Sequence, residues 1–173
     1  MSYQLTIEPI GQVLEVEEGQ TILDAALRAG IYLPHACGHG LCGTCKIQVT
    51  EGEVEHGEAS GFALMDYERD EGKCLACCAR LESDLVIEAD IEEDPDARNL
   101  LVQDHQGVVS RIENLTPTIK GVWIELEAPI TFQAGQYIGL HIPGETTTRA
   151  FSIASAPAQT REIELNIRHV PGG

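Results

Sequence analysis

Aromatic side chains are scarce in this 173-residue chain, at 5%, and only one Trp is present. There is thus little surface on which nucleobases could stack. Positive charge is scarce as well: Lys and Arg number 11 against 28 Asp and Glu, a formal net charge of −17 at pH 7. A polyanion repels phosphate, so nucleic acids and anionic membrane surfaces are disfavoured as partners. No apolar run approaches the ~20 residues needed to span a bilayer. The opening Met1-Ser2-Tyr3-Gln4-Leu5-Thr6 lacks a basic stretch followed by an apolar one, so no secretory signal is visible and a cytoplasmic location is expected. Internal repeats, low-complexity tracts and a Gly-rich nucleotide fingerprint are all missing. Hydrophobic residues, at 43%, suit a folded globular protein rather than a disordered one.

What is present is unevenly spread. Residues 1–104 hold 22 Asp/Glu and 6 Lys/Arg, a balance of −16, whereas residues 105–173 hold 6 and 5, a balance of −1. Such asymmetry predicts two units with different tasks. The join is expected in an acidic linker at residues 94–104, between a first domain at 1–93 and a second at 105–173. In the first, Tyr3, Leu5 and Ile7 alternate with polar residues, Pro9-Ile10-Gly11 turns the chain, and Val13-Leu14-Glu15-Val16 returns as a hairpin. A helix is predicted over residues 21–30, with Thr21 as N-cap, Ile22, Ala26 and Leu27 on one face, and Gly30 as the stop. Further strands are expected at 46–50 and 85–89, and a short helix at 61–66. One helix crossing a small mixed sheet is an α+β arrangement. The second unit offers strand candidates at 107–112, 121–126, 136–142, 149–154 and 162–168, with turns but no helical period between them. That pattern predicts an antiparallel barrel or sandwich.

Six cysteines, with no visible secretory signal, point to metal binding or catalysis rather than disulfides. Cys37, Cys42 and Cys45 form a C-x4-C-x2-C loop rich in glycine, and Cys74, Cys77 and Cys78 form a second group. Glycine lets backbone amides approach sulfur closely. Four thiolates, two sulfides and two ferric ions would sum to about −2, and one added electron to about −3, a charge that N–H dipoles can stabilise. A zinc site is the strongest alternative, because Cys42-x2-Cys45 and Cys74-x2-Cys77 also make a pair of C-x2-C pairs. A Rieske centre would enlist His35 and His39, but needs a His in each of two loops, and the second loop here has only cysteines.

The C-x4-C-x2-C loop with a distant Cys resembles the plant-type 2Fe–2S ferredoxin family over about residues 3–90. The resemblance implies a β-grasp fold and a fourth ligand after a Leu and a small residue, matched by Leu75-Ala76-Cys77. Cys37, Cys42, Cys45 and Cys77 are therefore the expected cluster ligands. Cys74 and Cys78 are left as spare thiols, with Cys78 expected as a small core residue.

In the second unit Arg149-Ala150-Phe151-Ser152 resembles the R-x-[YF]-S motif of the ferredoxin–NADP reductase-like FAD domain. The resemblance implies that Arg149 grips the flavin pyrophosphate, Phe151 packs along the flavin and Ser152 lies near its reactive nitrogens. Phe132–Tyr137 and Glu164–Gly173 resemble the third and fifth barrel strands of that family. Arg168, Gly172 and Gly173 fall in the second of these stretches and are expected at the cofactor. The residues end at Gly173, before the family's sixth strand and nicotinamide-binding domain. The expectation is thus a fragment whose barrel is incomplete and whose NAD(P)H site lies elsewhere.

A ferredoxin domain preceding a flavin domain is the order found in reductase components of bacterial multicomponent oxygenases. Thr6-Ile7-Glu8-Pro9, Gly19-Gln20-Thr21-Ile22-Leu23, residues 59–70, residues 83–90 and residues 115–121 are similar to those of the phenol hydroxylases. The resemblance implies an NAD(P)H-dependent oxidoreductase that passes electrons through FAD and a 2Fe–2S cluster to a di-iron hydroxylase component. The competing expectations are a ferredoxin-type carrier without flavin and a zinc-stabilised binding module. Two acidic groups, Asp66, Glu68, Asp70 and Glu71, and Glu51, Glu53, Glu55 and Glu58, are candidates for docking a basic partner.

Overall fold

A computed structural model describes residues 2–91, 100–144 and 148–171. Two compact units divide the chain, Met1–Val102 and Gln103–Gly173. Residues 94–99 of the expected linker lie outside the described residues. Leu101 belongs with the first unit, where its side chain lies against Gly30.

The first unit contains β1 (Ser2–Glu8), β2 (Gln12–Glu17), α1 (Ile22–Arg28), β3 (Lys46–Glu51), β4 (Val54–Glu55), α2 (Asp66–Asp70), β5 (Lys73–Leu75), β6 (Arg80–Leu81) and β7 (Leu85–Glu88). Five strands form a mixed sheet in the order β2-β1-β7-β3-β5, in which only β1 and β7 run parallel. The alternation seen in the sequence sets the register: Leu5 pairs with Leu85 and Ile7 with Ile87, and all four are buried. Ile22, Leu23, Ala25 and Ala26 bury the inner face of α1 in the same core. Gly30 follows the helix with φ +81° and ends it. This is the expected α+β arrangement, one helix held by a mixed sheet.

The short helix lies later than the sequence suggests. Residues 61–64 form turns and a bend, and α2 begins at Asp66. The apolar run Phe62-Ala63-Leu64-Met65 imitates a helical face, but only Ala63 and Leu64 are buried, and Phe62 is 94% exposed. The helix starts where an N-terminal N–H finds an acceptor, and Glu68 Oε2 accepts from the Met65 N–H at 2.9 Å.

The second unit contains β8 (Gly107–Asn114), β9 (Ile119–Leu126), β10 (Tyr137–Leu140), β11 (Arg149–Ser152) and β12 (Glu162–Arg168). All of its strand pairs are antiparallel, in a three-stranded sheet β12-β9-β8 and a two-stranded sheet β10-β11. A bridge from Ile153 to Leu165 joins the end of β11 to β12. Ile124, Leu126, Ile163 and Leu165 form its apolar centre, with Ile138, Leu140 and Phe151 packed against them. Among the described residues these strands make no closed barrel.

Candidate functional site

The first cysteine loop follows α1 directly. Ile31 and Leu33 are buried and anchor it, and the Ile31 N–H donates to the Ala26 carbonyl at 2.8 Å. From Cys37 to Cys45 the chain has no helix or strand. Gly38, Gly40 and Gly43 adopt φ of +69°, +72° and +74°, which L side chains disfavour, so these glycines let the loop curl. The curl aims the His39 and Leu41 N–H groups at Cys37 Sγ, each at 3.4 Å. Residues 58–64 back the loop from outside. The Ser60 N–H donates to the Gly40 carbonyl at 3.0 Å, and a Cβ at Gly43 would stand 3.2 Å from the Ala63 carbonyl oxygen.

Cys77 is held by different elements. The first N–H groups of a helix have no partner within it. In α1 those of Ile22 and Leu23 donate to the Ala79 and Ala76 carbonyls at 3.1 and 2.9 Å. The Ala76 N–H donates to the Cys45 carbonyl at 2.9 Å, and the N–H groups of Cys78 and Ala79 converge on the Leu75 carbonyl. The turn that carries Cys77 is therefore tied on one side to the helix and on the other to the first cysteine loop.

Thiol electrostatics reveals two pairs. Cys42 is brought down to about 6, first by the Thr44 hydroxyl, 3.2 Å from its sulfur, and then by Cys37. Cys45 is pushed up, first by a hydrogen bond with the Cys77 thiol and then by burial. The charge of Cys42 also reaches Cys45. Cys42 is thus influenced by Cys37 from its own loop, and Cys45 by Cys77 from the second. That set, with amides aimed at sulfur, suits a two-iron core. Among the described residues no group of three or more His, Cys, Asp or Glu side chains is placed to hold a metal ion.

The spare thiols differ from one another. Cys74 is fully buried in β5, opposite Ile47, and burial pushes its thiol up to about 12. Cys78 is not the core residue expected: it is half-buried, with its Sγ 3.6 Å from Cys77 Sγ. Only its place next to Cys77 in sequence hinted at this. Both loop histidines are engaged locally. His35 Nδ1 lies 2.7 Å from the Leu33 carbonyl with its ring against Tyr32, and His39 Nδ1 contacts the Cys37 carbonyl.

In the second unit Leu140 pairs with Arg149, Ile138 with Phe151 and Tyr137 with Ser152. Strand alternation puts Arg149 and Phe151 on one face and Ser152 with Tyr137 on the other. Phe151 packs on the apolar centre, whereas Arg149, Ser152 and Arg168 are exposed. Among the described residues neither arginine makes an ion pair. Gly172 and Gly173 lie outside the described residues.

Comparison with known proteins agrees with both halves. Residues 5–82 match the 2Fe-2S iron-sulfur cluster binding domain, and residues 106–173 match the oxidoreductase FAD-binding domain. The chain is 62% identical over 173 residues to the phenol hydroxylase P5 protein of Acinetobacter pittii, covering all of this chain and 49% of that protein. It shows the same identity and the same coverage against the phenol 2-monooxygenase reductase component DmpP of Pseudomonas sp.. Among solved structures, the Amycolatopsis cytochrome P450 reductase GcoB superposes with a TM-score of 0.85 at 35% identity, over 99% of this chain and 50% of that one. The chain spans about half the length of the curated relatives it matches.

Proposed function

We propose that this chain, which belongs to the 2Fe-2S iron-sulfur cluster binding domain family over residues 5–82 and to the oxidoreductase FAD-binding domain family over residues 106–173, is the electron-transferring part of a phenol hydroxylase reductase. Electrons from NAD(P)H pass by way of FAD and the cluster to an oxygenase component, a di-iron hydroxylase. The observation that supports this reading is the glycine-rich loop of Cys37, Cys42 and Cys45, with the His39 and Leu41 N–H groups each 3.4 Å from Cys37 Sγ. FAD exchanges electrons in pairs or singly and the cluster singly, which orders the two groups between a hydride donor and a one-electron acceptor.

In this reading the four cysteines hold the irons, and the His39 and Leu41 amides offset the growing negative charge on sulfur. Arg149 takes the FAD pyrophosphate, where a planar fork suits bidentate contact. Phe151, seated on the apolar centre, would border a bound flavin, and Ser152 would offer it a hydroxyl. Arg168, Gly172 and Gly173 complete the phosphate side. NAD(P)H binds in the part of such proteins that has no counterpart in residues 1–173. Among the described residues no helix is long and apolar enough to cross a membrane. A reducing cytoplasm suits six free cysteines.

Docking belongs to the exposed acids. Asp66, Asp70 and Glu71 are exposed, as are Glu51, Glu53, Glu55 and Glu58, although Arg80 pairs with Glu55 at 3.2 Å. Glu68 is withdrawn from the first group, buried and paired with Lys46 at 2.6 Å. The test is iron and sulfide analysis with visible absorption, then titration with FAD. A coloured protein with equal iron and sulfide, which binds FAD, is expected. A colourless zinc-loaded protein would overturn the reading.

A further inference from the structure

Cys78 has no part in the ligand set, yet its sulfur is held between the two ligand loops. Its Sγ lies at hydrogen-bond distance for two sulfurs, 3.6 Å, from Cys77 Sγ. A Cβ at Gly40, in the first loop, would stand 2.7 Å from the same Sγ. The backbone is equally confined: the Cys78 N–H donates to the Leu75 carbonyl at 2.9 Å, and a Cβ at Gly57 would stand 2.8 Å from the Cys78 carbonyl oxygen.

Either sulfur could donate in the pair Cys77–Cys78 as it stands. An iron-bound thiolate has lost its proton, so with Cys77 as ligand only Cys78 can donate. We propose that Cys78 is a tuning residue, whose S–H donates a hydrogen bond to the iron-bound sulfur of Cys77 and makes the centre easier to reduce. This rests on the ligand assignment above. Hydrogen bonds to cluster sulfur are among the levers that set reduction potential. A donor strengthens as the acceptor gains negative charge, so it favours the state of about −3 over that of about −2. Thiol S–H is a weak donor, which limits the size of the effect.

The experiment compares the iron-loaded wild-type chain with Cys78→Ala, Cys78→Val and Cys78→Ser. Iron and sulfide content, visible absorption and equilibrium reduction against redox dyes are measured on each. Ala and Val should retain iron, sulfide and colour but become harder to reduce, by roughly threefold to tenfold in the equilibrium constant, or up to ~59 mV for a one-electron couple. Ser, with a stronger O–H donor, should return the equilibrium to the wild-type value or beyond it. A shift below about twofold in both Ala and Val would overturn the proposal. Iron lost from both, with native far-UV dichroism, would also overturn it, by making Cys78 a ligand. A wild-type chain that holds no iron and sulfide fails on the ligand assignment instead, so the two failures are distinguishable.

Discussion

Glu68 looks in sequence like one acid among several, but its surroundings set it apart. Its carboxylate meets Lys46 Nζ at 2.6 Å and the Met65 N–H at 2.9 Å, with only 12% of the side chain exposed. The Lys46 ammonium first, and the Met65 amide second, hold its carboxyl below the ordinary 4.5. A carboxylate depressed in the folded state stabilises above its unfolded value, and that contribution is lost as pH falls through the folded value. The gap in urea midpoint between wild type and Glu68→Gln should therefore be widest above 4.5 and close on acidification. A gap that stays constant with pH would show that Glu68 contributes packing alone. The cysteines yield a second contrast at this scale. Cys74, buried with its thiol pushed up to about 12, stays protonated. Cys74→Ser should keep wild-type iron and sulfide, and Cys77→Ser should lose them. Iron content of the two purified variants is the check, and the reverse result would move the fourth ligand.

At the scale of elements, α1 serves as a scaffold for the Cys77 turn as much as a core helix. Thr21 Oγ1 accepts from the Asp24 N–H at 3.3 Å, while the Ile22 and Leu23 N–H groups donate into the turn. Thr21→Ala should cost about 1 kcal/mol, the usual worth of an N-cap. It should also speed loss of colour to a chelator, because the helix start and the turn share hydrogen bonds. Thr21→Ser should restore both, and bleaching at the wild-type rate in Thr21→Ala would show that the turn stands without the cap. The first hairpin, the capped helix and the five strands of the second unit were legible because each shows a period or a cap. β4, β5 and β6 were not, being two or three residues long, too short for any period. The shift of α2 reflects the cap that Glu68 gives the Met65 N–H, which the apolar run at 62–65 masks in the sequence. Cys78 was not legible either, because its position depends on how closely the backbone at Gly40 approaches from a loop some forty residues earlier.

At the scale of the whole molecule, charge and apolar core are both concentrated in the first unit. Among the described residues twenty-one buried ones form its core, whereas four form the centre of the second. Residues 1–102 should accordingly fold alone and retain the cluster colour; a preparation of that segment without cooperative melting would contradict it. Charge separates two kinds of electron transfer. Residues 1–104 carry a balance of −16, so under the proposed function an encounter with a basic oxygenase surface would be steered by long-range attraction, which salt screens within ~10 Å at 0.1 M. Under the same proposal, passage from flavin to cluster within one chain would involve no such encounter. Raising salt should therefore slow cluster reoxidation by the oxygenase several-fold while leaving flavin-to-cluster transfer nearly unchanged, both followed by stopped-flow absorption. Neutralising Asp66, Asp70 and Glu71 together should reproduce the slowing at low salt and flatten the salt dependence, since the screened charge would already be gone. Equal slowing of both steps would mean that salt acts on the redox groups themselves, and the acidic face would then have no steering role.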